Sequence, residues 1–295
     1  MVTLAPVTDP TEPTALILEG GPARDAVLAR VRTRLEGAGS PEVRLATVLV
    51  GNDGPSRRYV ASKHKTAAAV GIGSVQVELP TDITQSSLEE EVARLAADAT
   101  VHGILVQMPL PVHLDPEPVL ALIPAAKDVD GLTEASLGRL VRGVPGHVGC
   151  TPLGVLELLA HYGIPTAGRH AVVVGRSVLV GLPLSVLFAR KGIDATVTLA
   201  HSRTQNLIEV CRSADIIVSA TGVAHSIGAA HVRPGAVVID VGISRTENGI
   251  VGDVDFDAVA RVASAVTPMP GGTGLMTVAC LMSNTLDAAA MQGIF

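Results

Sequence analysis

The sequence contains no tryptophan, and aromatic residues make up only 2% of its 295 positions. Stacking platforms for single-stranded nucleic acid need aromatic side chains, so this class of partner is disfavoured. The formal net charge is -6 and no strongly basic run occurs, which argues against binding to a phosphate backbone. We therefore predict no nucleic-acid partner.

Cysteines are few, and long apolar runs are missing. Cys150, Cys211 and Cys280 lie far apart, with no spacing that is typical of metal ligands. This pattern predicts reduced thiols, no metal site and a cytoplasmic protein. Polar residues, glycine and proline interrupt every apolar run before it reaches membrane-spanning length, and no targeting signal surrounds the first basic residue, Arg24. We therefore predict no membrane partner.

Short apolar runs alternate with helical patterns in two series along the chain. Such alternation predicts parallel α/β architecture, and two series predict two domains with a boundary near Thr151. Residues 1 to about 13 are interpreted as a loose tail, residues 109–149 as loops and short turns, and Thr151 as the N-cap of a helix that begins with Pro152. The predicted strands cover residues 44–50, 74–79, 103–108, 170–174, 195–200, 215–220 and 236–241.

The stretch VVVGRSVLVG, residues 172–181, is typical of a dinucleotide-binding turn. Gly175 permits a tight turn, Gly181 permits close packing, and the following helix start attracts a pyrophosphate. The next predicted strand ends without the acidic residue of NAD-specific domains, and Ser202 and Arg203 occupy its place near Arg176. These groups favour NADP over NAD, although an ordinary strand-to-helix turn and a solvated loop charge stay open as alternatives.

A Tyr-x-x-x-Lys pair, Tyr59 and Lys63, lies on one face of a predicted helix. A buried lysine with a lowered pKa exchanges protons, whereas the alternative is an amphipathic surface helix. The pair precedes the glycine turn by more than a hundred residues, which excludes a short-chain dehydrogenase.

Three further polar residues are candidates for a site. Gln107 ends a strand, where its amide either contacts Lys63 or is an ordinary strand-end group. Asp128 and Asp130, in KDVDG, are either turn residues or ligands for a ring rich in N–H groups, and their position alone does not decide.

Together these blocks resemble the bifunctional methylenetetrahydrofolate dehydrogenase/cyclohydrolase family, over essentially the whole chain from about Leu16. The blocks are VGNDGPSRRYVASKHK, GILVQMPLP, PAAKDVDGL, CTPLGVLELL, VVVGRSVLVGLP, HSRT, GAVVIDVGISR, GDVDF and TPMPGGTGLMT. The resemblance implies a three-layer α/β folate-binding domain, residues 1–150 completed by a helix at 277–295. It further implies a Rossmann-like NADP domain with a parallel sheet at 151–276, a cleft between the domains, and a homodimer formed through the NADP domain.

The resemblance also implies roles for individual residues. Lys63 would be the general acid/base, Tyr59 would stack on the folate, Gln107 would hydrogen-bond Lys63, and Asp130 would hold the pterin. Gly175, Arg176, Ser177 and Ser202 match NADP-contacting positions, and Pro270, Gly271 and Gly272 match a loop that closes over the site. We expect the pKa of Lys63 to be lowered by Tyr59, burial and Gln107.

Several positions depart from the family pattern. Leu182 and the segment from Leu18 to Gly21 lack a lysine found in relatives, and Thr273 and Leu275 are substituted in the closing loop. A monofunctional enzyme, a non-catalytic folate-binding paralogue and a two-domain amino-acid dehydrogenase therefore stay open as alternatives. Arg57 and Arg58 either attract the glutamate tail of a folate or form an exposed charged face.

Overall fold

A computed structural model describes residues 15–247 and 249–295, and the predicted tail at residues 1 to about 13 lies outside them. The strands in this part of the chain are β1 (Leu16–Ile17), β2 (Arg44–Val50), β3 (Gly73–Leu79), β4 (Gly103–Val106), β5 (His170–Val174), β6 (Thr196–Ala200), β7 (Ile216–Ser219), β8 (Val237–Asp240), β9 (Ser244–Thr246), β10 (Gly249–Val251) and β11 (Ala265–Val266). The α-helices are α1 (Gly20–Gly37), α2 (Gly54–Val70), α3 (Gln85–Ala97), α4 (Pro116–Ala121), α5 (Glu134–Arg142), α6 (Cys150–His161), α7 (Gly181–Ala189), α8 (Leu207–Arg212), α9 (Phe256–Ala260) and α10 (Gly274–Met291).

Two parallel sheets confirm the predicted α/β fold class. The first sheet has the order β3-β2-β4, and the second has the order β1-β11-β8-β7-β5-β6. β9 and β10 form a separate antiparallel hairpin. The first described strand, β1, pairs with β11, so it belongs to the larger sheet although the smaller sheet follows it in the chain.

Each sheet is covered by helices on both faces, which gives three layers. The smaller sheet has α2 and α10 on one face and α3 and α4 on the other, with separate buried cores on each side. The larger sheet has α6 and α7 on one face and α8 and α9 on the other. The strands β5, β7 and β8 are near-continuous runs of valine and isoleucine because both faces of the sheet are buried there.

The long helices α1 and α10 connect the two halves. α1 buries Ala23 and Val27 in the core of the larger sheet, but Val31 and Leu35 in that of the smaller sheet. α10 is shared in the same way, since Met276 packs on the larger sheet and Leu286 on the smaller. The carboxyl ends of β2 and β4 consequently face a cleft between the halves.

Two predictions about local structure were wrong, and one helix was missed. Residues 109–149 contain α4 and α5, each started by a side-chain cap: Asp115 accepts from the Glu117 backbone, and Thr133 accepts from the Ser136 backbone. Thr151 is not an N-cap, because α6 begins at Cys150 with Gly149 as its cap. α1 was not predicted, since two glycines and a proline at its start conceal the four-residue spacing of its buried side chains.

Among residues 15–247 and 249–295, no helix has both the length and the apolar composition that crossing a lipid bilayer requires.

Candidate active site

Lys63 is the buried cation at the centre of the cleft. It sits in the middle of α2, which starts at the Asp53 cap and ends at Gly71. Only 4% of the Lys63 surface is exposed, and its Nζ lies 4.4 Å from the centroid of the Tyr59 ring. Burial lowers the pKa of Lys63, while the negative charge of Asp130 opposes this shift. The Tyr59 ring favours the charged ammonium, so burial and not Tyr59 lowers the pKa.

Gln107 is oriented by the backbone at the end of β4. Its Nε2 donates to the Met108 carbonyl at 2.6 Å, which leaves Oε1 to accept a hydrogen bond from Lys63 Nζ at 2.9 Å. The Gln107 backbone N–H continues the ladder by donating to Val48 on β2. The strand end and the amide therefore fix the position of the lysine.

The two aspartates of KDVDG differ in what they contact. Both carboxylate oxygens of Asp128 accept backbone hydrogen bonds, from Leu132 at 3.2 Å and Thr133 at 2.9 Å, so Asp128 is a turn residue. Asp130 lines the cavity that holds Lys63. Burial raises the pKa of Asp130, opposed by Lys63 and reinforced by Asp128. The structure thus gives the turn role to Asp128, whereas Asp130 faces the cavity.

Tyr59, Lys63, Gln107 and Asp130 surround one small cavity of about 200 Å³. Burial, reinforced by Asp130, raises the pKa of the Tyr59 phenol, so it stays protonated at neutral pH. This cavity shares Tyr59 and Gln107 with a wider cleft of about 560 Å³.

The predicted cofactor residues come together at one edge of the larger sheet. β5 and β6 are parallel neighbours that end in register at Val174 and Ala200. The turns that follow them carry Arg176 with Ser177, and Ser202 with Arg203, all exposed. Exposed guanidiniums and hydroxyls at adjacent strand ends suit a phosphate group.

The glycines of this turn are required by close backbone contacts. Gly175 has φ +127°, and a Cβ there would lie 2.2 Å from the Ala220 carbonyl oxygen. A Cβ on Gly181 would lie 1.8 Å from the Gly175 carbonyl oxygen. A side chain at either position would displace the turn, so the sequence interpretation of both glycines agrees with the geometry.

The start of α7 offers fewer free N–H groups than expected. Leu182 donates to the Ser177 carbonyl at 3.1 Å, and Pro183 has no N–H. The Val180 N–H donates to Ser177 Oγ at 3.2 Å. The exposed side chains at the strand ends are therefore the main candidates for contacts to a phosphate.

The loop with Pro270, Gly271 and Gly272 lies against the start of α1. The Gly271 carbonyl accepts from Gly20 at 2.7 Å, and a Cβ on Gly20 would lie 2.1 Å from the Gly272 oxygen. Glycine at position 20 thus permits the loop to pack here. Thr273, the substituted position, is buried and donates to the Asp240 carbonyl at 2.7 Å, which attaches the loop to β8.

Some residues around the cavity were not predicted as site residues. Leu179 and Val180 bring the β5–α7 turn to the wall of the Lys63 cavity, and Thr151 and Thr277 line it from α6 and α10. The two threonine hydroxyls lie 3.2 Å apart. Both stand in blocks that carried the family resemblance, CTPLG and GLMT, so the signal was present in the sequence.

The chain was compared with protein-family models and with proteins of known sequence and structure. The model for the tetrahydrofolate dehydrogenase/cyclohydrolase catalytic domain matches residues 18–130, and the model for the NAD(P)-binding domain of the same family matches residues 149–293. The bifunctional protein FolD of Methanoculleus marisnigri is 48% identical over 278 residues, which cover 94% of this chain and 97% of that protein.

Solved structures agree with the sequence match. The bifunctional FolD dehydrogenase/cyclohydrolase of Campylobacter jejuni has a TM-score of 0.90 at 39% identity, covering 94% of this chain and 99% of that one. The Trypanosoma brucei methylenetetrahydrofolate dehydrogenase-cyclohydrolase, solved with NADP and an inhibitor, has a TM-score of 0.88 at 36% identity, covering 95% and 99%. With both family models and near-complete coverage, this chain belongs to the tetrahydrofolate dehydrogenase/cyclohydrolase family.

Proposed function

We propose that this chain oxidises methylenetetrahydrofolate to methenyltetrahydrofolate with NADP and then hydrolyses the product to 10-formyltetrahydrofolate. One observation carries the proposal. Leu179 and Val180, from the cofactor turn, line the same cavity as Lys63 and Asp130. A cofactor held at the β5 and β6 ends and a folate held beside Lys63 would therefore meet at this cavity.

The cofactor half fits a bound NADP by its donor groups. Gly175 permits the turn, and Arg176, Ser177, Ser202 and Arg203 would contact the phosphates. Bound NADP would supply the hydride acceptor of the oxidation. The chain itself positions the folate: Asp130 would hold the pterin N–H groups, and Tyr59 would stack on the ring.

The hydrolysis uses Lys63 as general acid and base. A neutral Lys63 amine takes a proton from water as the water oxygen bonds to the methenyl carbon. Lys63 then returns that proton to the ring nitrogen as the bond between this nitrogen and the carbon breaks. The added hydroxyl loses its remaining proton as it becomes the formyl C=O, and this is the one proton that the reaction releases overall. Burial favours the neutral amine, and Gln107 fixes its position. Pro270, Gly271 and Gly272 would close over the folate.

We propose the same division of the chain into units that the sequence predicts. Residues 1–150 with the terminal helix, residues 277–295, would bind the folate, and residues 151–276 would bind NADP. The core shared by Ala67 of α2 and Leu286 of α10 supports the assignment of the terminal helix.

A spectrophotometric assay tests the function. Methylenetetrahydrofolate is supplied with NADP or NAD, and the methenyl product is followed in the wild type, in Lys63→Met and in the exposed control Lys65→Met. We expect the methenyl product to form with NADP and decay in the wild type and the control, but to accumulate in Lys63→Met. Oxidation without decay in the wild type would indicate a monofunctional dehydrogenase. Folate binding without turnover would indicate a non-catalytic paralogue.

We also propose a homodimer that forms through the cofactor half. β6 is an edge strand, and beside it the exposed apolar side chains Val141 and Leu182 line a cavity of about 660 Å³ with Val197 and Leu199. An apolar patch next to an open strand edge favours association. Analytical ultracentrifugation tests this: Leu182→Glu is expected to shift the wild-type dimer to a monomer.

A cytoplasmic location is proposed from the thiols. Cys150, Cys211 and Cys280 are free and buried, and burial raises the pKa of Cys211 to about 11 and that of Cys280 to about 12. Such thiols resist oxidation and have no disulfide role. Thiol titration of the purified, denatured protein is expected to find all three free.

A further inference from the structure

Two arginines line the cleft from opposite walls. Arg58 lies on α2, one residue before Tyr59, and Arg245 lies on β9 of the hairpin. Both side chains are exposed. Among residues 15–247 and 249–295, neither has a carboxylate within ion-pair distance or a hydrogen-bond partner, whereas most of the arginines on α1 and the smaller sheet are paired.

The neighbouring Arg57 has a different role. Its guanidinium forms an ion pair with Glu78 of β3, and it does not line the cleft. Successive residues of a helix point about 100° apart, which explains why only one of the two faces the cleft. The sequence pattern did not distinguish Arg57 from Arg58. In the structure only Arg58 of the two faces the cleft, where a ligand can reach it.

The mouth of the cleft carries excess positive charge. Asp53 is the carboxylate that both arginines influence: hydrogen bonds from Ser56 lower its pKa most, and Arg245 and Arg58 lower it further. One oxygen of Asp53 already accepts from the Ser56 backbone and hydroxyl. Two cations against one carboxylate leave one net positive charge, which attracts an anionic ligand.

Apolar groups stand beside these cations. Ile243 is 58% exposed and Ile250 is 46% exposed, and both line the cleft. Ile250 is directly opposite Arg245 in the hairpin, so their side chains share one face. An apolar surface next to two guanidiniums fits a ligand in which a flat apolar group is followed by carboxylates.

We propose that Arg58 and Arg245 form an anion-binding subsite for the glutamate tail of the folate substrate. Ile243 and Ile250 contact the aminobenzoyl ring that precedes the tail. The inference rests on the proposed function: a folate with its pterin at Asp130 would extend its tail from the inner cavity into this cleft, because the two share Tyr59 and Gln107. Since the two cations stand on different walls, a tail with several carboxylates bridges them better than a tail with one glutamate.

Steady-state kinetics with two substrates test the subsite. Methylenetetrahydrofolate with one glutamate and with three glutamates is supplied to the wild type, to the double variant Arg58→Gln/Arg245→Gln and to the control Arg57→Gln. We expect the wild-type KM to be about tenfold lower for three glutamates, and the double variant to lose most of this preference with kcat changed less than about twofold. Arg57→Gln should keep the wild-type ratio.

Salt provides a second readout that a structural role would not produce. Raising the ionic strength from about 0.05 to about 0.3 M should raise the wild-type KM for the three-glutamate substrate more than that of the double variant. A double variant that keeps the wild-type ratio, or a wild type that does not distinguish the two substrates, overturns the subsite.

Failure of the proposed function is distinguishable from failure of the subsite. If the wild type turns over neither substrate, the function is wrong. Calorimetric binding of tetrahydrofolate with one and three glutamates then decides the subsite: a preference for three glutamates that disappears in the double variant supports it, and equal binding overturns it.

Discussion

The Lys63 cavity and the proposed cofactor edge, at the ends of β5 and β6, differ in how far the protein itself fixes their side chains. Lys63 is buried against Tyr59 and hydrogen-bonded to Gln107, which is held by the backbone of Met108. At the cofactor edge, Arg176 and Arg203 project into solvent, and the fixed part is the backbone around Gly175. The protein itself therefore fixes the side chains of the cavity, whereas at the cofactor edge it fixes only the backbone.

This difference is consistent with the chemistry proposed for each site. A general base needs a set pKa, which requires burial and a defined neighbour. A phosphate needs only cations that reach it, and exposed cations avoid the cost of burying a charge. Substitutions in the cavity should therefore affect rate, and substitutions at the cofactor edge should affect affinity or, where the backbone is concerned, folding.

The largest effect is expected from Gln107→Leu, which tests whether the cavity is prearranged. Leucine cannot accept the hydrogen bond from Lys63 Nζ, so the lysine loses its orientation. We expect cyclohydrolase turnover to fall about 100-fold while the dissociation constant for NADP changes less than about twofold. Stopped-flow kinetics and calorimetry measure these, with Gln76→Leu on the exposed face of β3 as the control. A parallel loss of NADP affinity would show that the two regions are not separate.

Gly181→Ala tests whether the backbone is the fixed part of the cofactor edge. The new Cβ would lie 1.8 Å from the Gly175 oxygen, so the turn must shift. We expect the free energy of unfolding to fall by about 3 kcal/mol, and NADP to bind at least tenfold more weakly. Urea denaturation and calorimetry measure both. Gly21→Ala is the matched control, because a Cβ there meets nothing within 4 Å. Equal stabilities of the two variants would contradict the close contact.

Asp240 provides a further test of the comparison. It is a buried acid in the cofactor half, and its hydrogen bonds support the fold. Its oxygens accept backbone hydrogen bonds from Gly242, Asp253 and Val254, yet burial raises its pKa from 3.8 to about 6. The folded chain therefore holds the proton more tightly than the unfolded chain, and the stabilisation is lost as pH rises from about 4 to above 6. We expect the free energy of unfolding to fall by about 2 kcal/mol over this range through Asp240 alone.

Urea denaturation at several pH values, with Asp240→Asn as the variant, measures this contribution. The asparagine does not titrate, so the difference between the wild-type and variant pH profiles isolates the carboxyl group. Asp257→Asn, an exposed change on α9, should follow the wild-type profile. Parallel profiles for the wild type and Asp240→Asn would mean that Asp240 titrates as it does in the unfolded chain.

The sequence predicted the strands of both sheets well because buried parallel strands are apolar runs. β2, with Arg44–Val50, and β5, with His170–Val174, were predicted to the residue. α1 was missed although Ala23, Val27, Val31 and Leu35 recur every four residues, because Gly20 and Gly21 resemble a turn. Gly20 is explained only by the loop at Gly271 and Gly272, which packs against the helix start and is distant in sequence.

Within the site, local sequence patterns identified which residues could carry the chemistry, but not which groups those residues contact. The Tyr59 and Lys63 spacing follows from helix geometry alone, whereas the separation of Asp128 from Asp130 depends on which backbone N–H groups fold back onto the turn. The division between Arg57 and Arg58 likewise depends on Glu78, which comes from another strand. A sequence pattern that extends over only a few residues cannot predict a role that depends on contacts with distant segments.

The smallest effect is expected at an exposed side chain of the cofactor edge, Arg203. Arg203→Leu removes a cation that would contact the 2′-phosphate, and a solvent-screened contact of this kind contributes about a tenfold change in affinity. We expect the NADP dissociation constant to rise about tenfold, NAD binding to stay unchanged and the free energy of unfolding to stay within about 0.5 kcal/mol. Arg261→Leu, exposed at the opposite edge of the sheet, is the control. Equal weakening of NADP and NAD would place Arg203 away from the 2′-phosphate, and a large loss of stability would mean that this edge is prearranged like the cavity.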